Sequence, residues 1–275
     1  MKSISKRQQT KTLRDCFWLW GQSPGGHHAI QNNLWKLPGK NIMTPLEGAC
    51  YLGIPNCCRV VIGNDPKPPF DQYSMALVTM QQVVWSILGA AESNHAGLDL
   101  DEVLRQASMF PNITGGVLDD FFTQEDGTFR PRMSIAELRN AHERLHANAR
   151  PLDMWIVVYE YQLDKPVAEH LNECDVVTFW TWKGSELAHL DRNFDRVKKM
   201  TPGKRRLAGC YMWDYGDAKP LTLGDMKLQC EKYLQWMRSG DIEGIIFCSN
   251  CIADIGLETV EWTRNWIKTV SDEKI

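Results

Sequence analysis

Apolar positions along the chain gather into short runs, separated by stretches in which they recur with a helical period. The runs lie at residues 13–20, 56–62, 83–89, 113–122, 154–159, 175–181, 206–212 and 244–248. Their near-continuous apolar character fits parallel strands covered on both faces, where neither side chain row meets water. Helix starts stand between them. Thr44-Pro45-Leu46-Glu47 is a capping box with proline at the first helical position, Leu98-Asp99-Leu100-Asp101 opens a helix, and Ser134 with Glu137 three residues on opens another. Further helices are predicted near 165–172, 186–200, 222–239 and 257–270. Residues 73–92 have the length of one long helix, but Val83-Val84-Trp85-Ser86-Ile87 is β-branched and aromatic, which predicts a helix followed by a strand.

Eight strands, each followed by a helical stretch, predict a single (β/α)8 barrel over 1–275, with 1–11 as a flexible N-terminal tail. An open doubly wound sheet is the alternative. Neither Gly-x-Gly-x-x-Gly nor Gly-x-x-x-x-Gly-Lys follows any strand, so the nucleotide-binding forms of that fold are disfavoured and no cofactor is expected.

Composition narrows the classes of partner. A net charge of -3 with both signs mixed gives no positive field to hold a phosphate backbone, so nucleic acid is not an expected partner. The cluster Lys198-Lys199 with Lys204-Arg205-Arg206 reads as a solvated face. No apolar window approaches the roughly 18 residues that span a membrane, and the run 16–20 is too short for a signal peptide. A cytoplasmic protein with no membrane partner is expected. Nine cysteines, several inside apolar runs, fit a reducing compartment. Cys248-x-x-Cys251 lacks a second pair with zinc-site spacing, so no metal is assigned to it. Oligomeric state is left open.

In a barrel of this kind the functional groups stand at the C-terminal ends of the strands. Those ends carry His27 and His28; Asn64 and Asp65; Glu92, Ser93, Asn94 and His95; Asp119 and Asp120; Glu160 and Tyr161; Trp180 and Trp182; Trp213, Asp214 and Tyr215; and Ser249 and Asn250. Such a rim is poor in cations and rich in acids, amides and flat rings. It suits an uncharged polyhydroxylated ligand, a small molecule or an oligosaccharide, whose C–H faces lie on aromatic rings.

Asp119-Asp120 is the sharpest feature, because carboxylates that end an apolar strand are costly unless solvated, paired or reactive. Strand neighbours point to opposite faces, so one of the two is expected in the pocket and the other on a loop. The blander reading makes both of them loop acceptors and helix caps. Glycosidic cleavage needs a second carboxylate, for which Glu160 and Asp214 are candidates. Substrate contacts are expected from His27, His28, Trp180, Trp182, Trp213, Tyr215 and Asn250, with core packing as the alternative for the tryptophans. Glu47 is accounted for by its capping box. His27 and His28 could instead hold a metal with Asp65 or Asp120.

With Ile113-Thr114-Gly115-Gly116-Val117-Leu118-Asp119-Asp120-Phe121-Phe122 as fourth strand and Cys210-Tyr211-Met212-Trp213-Asp214-Tyr215 as seventh, the chain resembles glycoside-hydrolase-type TIM barrels, most of all bacterial barrels of that type without an assigned activity. The resemblance implies a proton donor at Asp119 or Asp120. It leaves the partner carboxylate open, since the Asp-x-x-Asp-x-Asp-x-Glu series of chitinase-like barrels is absent. Two other classes stand beside this one: a sugar-binding barrel without catalysis, and a metal-dependent lyase, isomerase or hydrolase built on His27 and His28.

Overall fold

The computed structural model describes residues 11–90, 93, 98–125 and 128–275. The expected N-terminal tail, apart from Lys11, and the strand-end residues Glu92, Asn94 and His95 lie outside the described residues. Eight parallel strands close into a barrel: β1 (Phe17–Gly21), β2 (Asn56–Arg59), β3 (Gln82–Leu88), β4 (Ile113–Leu118), β7 (Asp153–Tyr159), β8 (Val176–Trp180), β9 (Arg205–Tyr211) and β10 (Gly244–Cys248). Each pairs with its sequence neighbour, and β1 pairs with both β2 and β10 to complete the ring. A short antiparallel hairpin, β5 (Phe122–Glu125) and β6 (Thr128–Pro131), is inserted after β4.

The helices are α1 (Gly26–Ala29), α2 (Pro45–Leu52), α3 (Asp71–Ala76), α4 (Leu100–Met109), α5 (Ile135–His146), α6 (Ala168–Asn172), α7 (Leu190–Met200), α8 (Leu223–Arg238) and α9 (Glu258–Val270). The capping boxes read from sequence are both made: Thr44 with Glu47 on α2 and Ser134 with Glu137 on α5. The described part of 73–92 divides as expected, into α3 and then β3, because Val84, Trp85 and Ile87 are fully buried on a strand that two neighbours pair.

Several expected strands are shorter than their apolar runs, β2 ending at Arg59 among them, and two depart furthest. Residues 13–16 form a turn of 3-10 helix before β1. The fourth run, 113–122, stops being strand at Leu118, and its remainder turns out of the barrel and enters the hairpin. The basic cluster carries ion pairs: Arg205 with Asp153 and Glu243, and Lys198 with Asp195 and Asp241. No helix among the described residues is long and apolar enough to cross a membrane.

Aromatic rings cross the barrel interior. Trp18 on β1 meets Trp155 on β7 at a centroid distance of 4.8 Å, and Trp20, two residues further along β1, meets Trp180 on β8 at 5.1 Å. Neither pair belongs to adjacent strands, so these contacts span the lumen. Period-two alternation keeps Trp18 and Trp20 on the inner face. The upper pair forms the floor beneath the C-terminal mouth.

Candidate active site

Above that floor, at the C-terminal ends of the strands, lies a narrow cavity of about 60 Å³. Its base and walls are Trp20, Asp119, Asp120, Tyr159, Trp180, Tyr211 and Cys248, and its rim is completed by His27, Trp35, Trp182 and Tyr215. At ~30 Å³ per water molecule, it has room for about two waters or a small chemical group. Trp35 and Trp182, both half-buried, stand at its mouth.

Asp119 follows the last residue of β4 and is 3% exposed. Its carboxylate Oδ1 accepts a hydrogen bond from the Asp120 backbone N–H at 2.9 Å. Burial, reinforced by the neighbouring Asp120 carboxylate, pushes Asp119 well above the ordinary carboxylate range, which favours its protonated form. Asp120 adopts a left-handed backbone conformation, φ 42°. That conformation breaks strand alternation, and both side chains line the same cavity. The expectation that the two point to opposite faces is thereby corrected: β4 has already ended at Leu118. Left-handed backbone at a non-glycine residue costs of order 1–3 kcal/mol, and such strain clusters at functional sites. The Tyr159 hydroxyl donates to Asp120 Oδ1 at 3.0 Å. Arg132, at the end of the hairpin, returns to the same place and donates to the Gly89 carbonyl at 2.6 Å and the Asp119 carbonyl at 3.4 Å.

Of the other two acids, neither lines this cavity among the described residues. Glu160 is one residue beyond β7; its Oε2 accepts from the Trp182 backbone N–H at 2.8 Å, and burial raises its carboxyl above the ordinary range. It ties down the loop that carries Trp182. Asp214 accepts from the Asp217 backbone N–H at 3.1 Å, with the Lys219 ammonium 3.8 Å away, and shapes a turn.

The expected substrate residues divide in the same way. His27, Trp180, Trp182 and Tyr215 line the cavity. Trp213 does not: its indole N–H donates to the Trp35 carbonyl at 3.1 Å and fixes the loop bearing that ring. Asn250 is fully buried and spends its amide on the Gln22 N–H and carbonyl and on the Met43 carbonyl, each at 2.8 Å. His28 donates from Nε2 to the Pro38 carbonyl at 3.2 Å, outside the cavity. Trp213, Asn250 and Glu160 therefore position the wall. They do not form it.

His27 is buried at 3% exposure with Nδ1 hydrogen-bonded to the Tyr215 hydroxyl at 2.8 Å, and its ring meets Trp35 at 5.1 Å. Burial among these rings, with a smaller contribution from His28, lowers its pKa to about 3. It is thus neutral at ordinary pH. Among the described residues it does not group with Asp65 or Asp120 as a metal centre; the one group of three or more His, Cys, Asp or Glu with suitable spacing lies elsewhere, at His142, His146 and Asp175.

The shift on His27 has a signed consequence for stability. Below the ordinary value of 6.5 the unfolded chain binds a proton that the folded chain refuses, so this contribution falls as pH falls from 6.5 towards 3, by about 1.4 kcal/mol per pH unit. Urea unfolding of wild type and His27→Asn between pH 4 and 7 is expected to show the steeper acid loss in wild type. Parallel curves would contradict a buried neutral imidazole.

Trp20, Gln22, Trp35, Tyr159, Tyr211 and Cys248 also line the cavity and were not among the expected site residues. Tyr159, Tyr211 and Cys248 are the last residues of β7, β9 and β10, and Trp20 is the last but one of β1. Inner-face alternation counted back from the strand ends would have found them. Trp35 sits on a loop without periodicity, and no local signal marks it.

No protein-family model matches the sequence, and no curated protein matches it. Solved structures do match its fold. A Bacteroides thetaiotaomicron protein provisionally assigned as an α-L-fucosidase superposes with TM-score 0.59 at 12% identity, covering 96% of this chain and 99% of the other. An α-L-arabinofuranosidase from Thermotoga maritima gives 0.57 at 11% identity, covering 97% and 73%. The catalytic domain of a chitinase from Pyrococcus furiosus gives 0.54 at 10% identity, covering 88% and 86%. With these proteins the chain shares the (β/α)8 barrel fold.

Proposed function

We propose that the cavity is the active site of a glycoside hydrolase-like enzyme, in which Asp119 donates the proton to the departing oxygen of a glycosidic bond. The observation that carries this reading is the Asp119–Asp120 pair at the end of β4, where a buried carboxyl, its proton affinity raised by burial, stands beside a second carboxyl in an aromatic-walled cavity. Departure of the oxygen leaves positive charge on the sugar ring, and carboxylate oxygens beside it stabilise that charge. Tyr159 holds Asp120 in place for this task by its hydrogen bond. Trp35 and Trp182 offer flat faces on which sugar C–H groups lie, and His27, neutral, offers a hydrogen bond without charge. Asp119 and Asp120 are the carboxylates that line the cavity among the described residues, so attack from the far side of the ring falls to water, whose hydroxyl joins the sugar carbon while its proton passes to solvent, from which Asp119 regains the proton it gave to the departing oxygen. The shared fold with sugar-cleaving barrels agrees with this reading, but the argument rests on the cavity.

Four variants separate the acids by position. On a glycan that wild type cleaves, Asp119→Asn and Asp120→Asn are each expected to lose at least about 100-fold in turnover, the ordinary contribution of positioned acid–base groups. Glu160→Gln and Asp214→Asn, whose carbonyl oxygens still accept the backbone N–H bonds, are expected to stay within about tenfold. The reverse ranking would move the chemistry away from β4. Glycan binding that survives all four changes, with no product from wild type, would make the barrel a binding protein.

A further inference from the structure

We propose a second site, unrelated to the cavity: a three-ligand centre for a divalent transition-metal ion of the zinc class, formed by His142, His146 and Asp175 at the N-terminal end of the barrel. His142 and His146 stand one turn apart near the C-terminal end of α5, so their rings share a face, with centroids 4.0 Å apart. Asp175 immediately precedes β8. Its Oδ1 lies 3.0 Å from His142 Nε2 and its Oδ2 3.0 Å from His146 Nε2. The candidate donor atoms all lie within 4.8 Å of one another.

The two 3.0 Å contacts are close to what an ion requires, and the widest donor separation, within 4.8 Å, closes on binding. Zinc bonds of ~2.0–2.2 Å to nitrogen and oxygen place neighbouring ligand atoms about 3.3 Å apart in a tetrahedral site. The ion enters by widening the 3.0 Å contacts by a few tenths of an ångström and drawing the wider donor pair together, with the ring protons resting on Nδ1. The carboxylate is already oriented: the Met154 backbone N–H donates to Asp175 Oδ2 at 2.8 Å, and the Asp175 N–H donates to the Met154 carbonyl at 2.9 Å. Support of a ligand by such outer hydrogen bonds is the usual accompaniment of a metal site. His146 is 44% exposed at its side chain, which leaves the fourth position to water. Imidazole nitrogens with one carboxylate favour zinc, nickel or copper over magnesium or calcium, which prefer all-oxygen shells. An ion here joins α5 to the start of β8 on the face opposite the cavity, and its consequence is stability of the barrel.

Isothermal titration of the metal-stripped full chain with zinc chloride tests the site. One ion per chain is expected, with the dissociation constant raised at least tenfold in His142→Ala, His146→Ala and Asp175→Asn. Zinc is expected to raise the melting temperature of wild type and not that of the double variant His142→Ala/His146→Ala, whose far-ultraviolet circular dichroism in the absence of metal should match wild type. Magnesium should do neither, and Asp119→Asn should bind zinc as wild type does. Should Asp175→Asn fail to fold, the two histidine variants decide alone. Failure of wild type to bind one equivalent of zinc, or equal binding by the double variant, would overturn the proposal while leaving the reading of the cavity untouched.

Discussion

Replacing Asp119 with asparagine is expected to abolish turnover, by about 100- to 10,000-fold, while making the protein more stable at pH 7. Both effects follow from one fact. The carboxyl is buried beside a second carboxyl, so the folded state holds its proton to higher pH than the unfolded chain does. Above the ordinary value of 3.8 the unfolded chain gives up that proton more readily, and stability falls as pH rises through the window up to the raised folded value. Asparagine is neutral throughout and still accepts from the Asp120 N–H through its carbonyl oxygen. Urea unfolding at pH 3 and pH 7 should therefore show a stability gain for the variant at pH 7 that shrinks towards pH 3. A variant less stable at pH 7 would mean that the carboxyl is structural, and the cost of burying it would have no functional return.

The second large effect is expected from Gly209→Ala on β9. A Cβ at this position would lie 1.9 Å from the nearest atom of the Trp180 ring, with which Gly209 pairs in register on β8. The ring has nowhere to go. It meets Trp20 at 5.1 Å and Tyr211 at 4.9 Å, and its indole N–H donates to Thr178 Oγ1 at 2.9 Å. Overpacking of a well-filled core costs on the order of 3 kcal/mol at this degree of overlap. For a barrel of this size that corresponds to a melting temperature lowered by roughly 6–12 °C. Because Trp180 is also the floor of the cavity, weaker substrate binding should accompany the loss. An alanine variant with an unchanged denaturation midpoint would show that Gly209 is not what seats the ring.

The barrel was legible because its strands are buried on both faces, which writes each as a compact apolar run. β10 spans Gly244–Cys248, the expected bounds, and the division of 73–92 followed from the β-branched and aromatic residues at 83–87 and from the helix opening at 98–101 that calls for a strand before it. The hairpin β5–β6 was missed because Phe121-Phe122 continues the apolar run of β4, and only the turn at Asp120 separates them. That turn depends on tertiary contacts, which sequence periodicity does not encode. The same limit governed the site. Reading the residues just past the strands selected Glu160, Asp214 and Asn250, which stand one, three and two residues beyond β7, β9 and β10, whereas the inner face at the strand ends belongs to Tyr159, Tyr211 and Cys248. For Glu160 the offset of one residue reverses the face. Asp119 needed no such correction, and Asp120 came to its side by a backbone conformation that no propensity would assign to aspartate on a strand.

The central claim is that the Asp119–Asp120 cavity cleaves glycosidic bonds, and release of reducing ends from a broad panel of oligosaccharides and aryl glycosides tests it most directly. Wild type is expected to release product from at least one member of the panel, and folded Asp119→Asn protein, assayed side by side, is expected to release at least about 100-fold less. Absence of product across the panel, or equal release by the variant, would contradict the account.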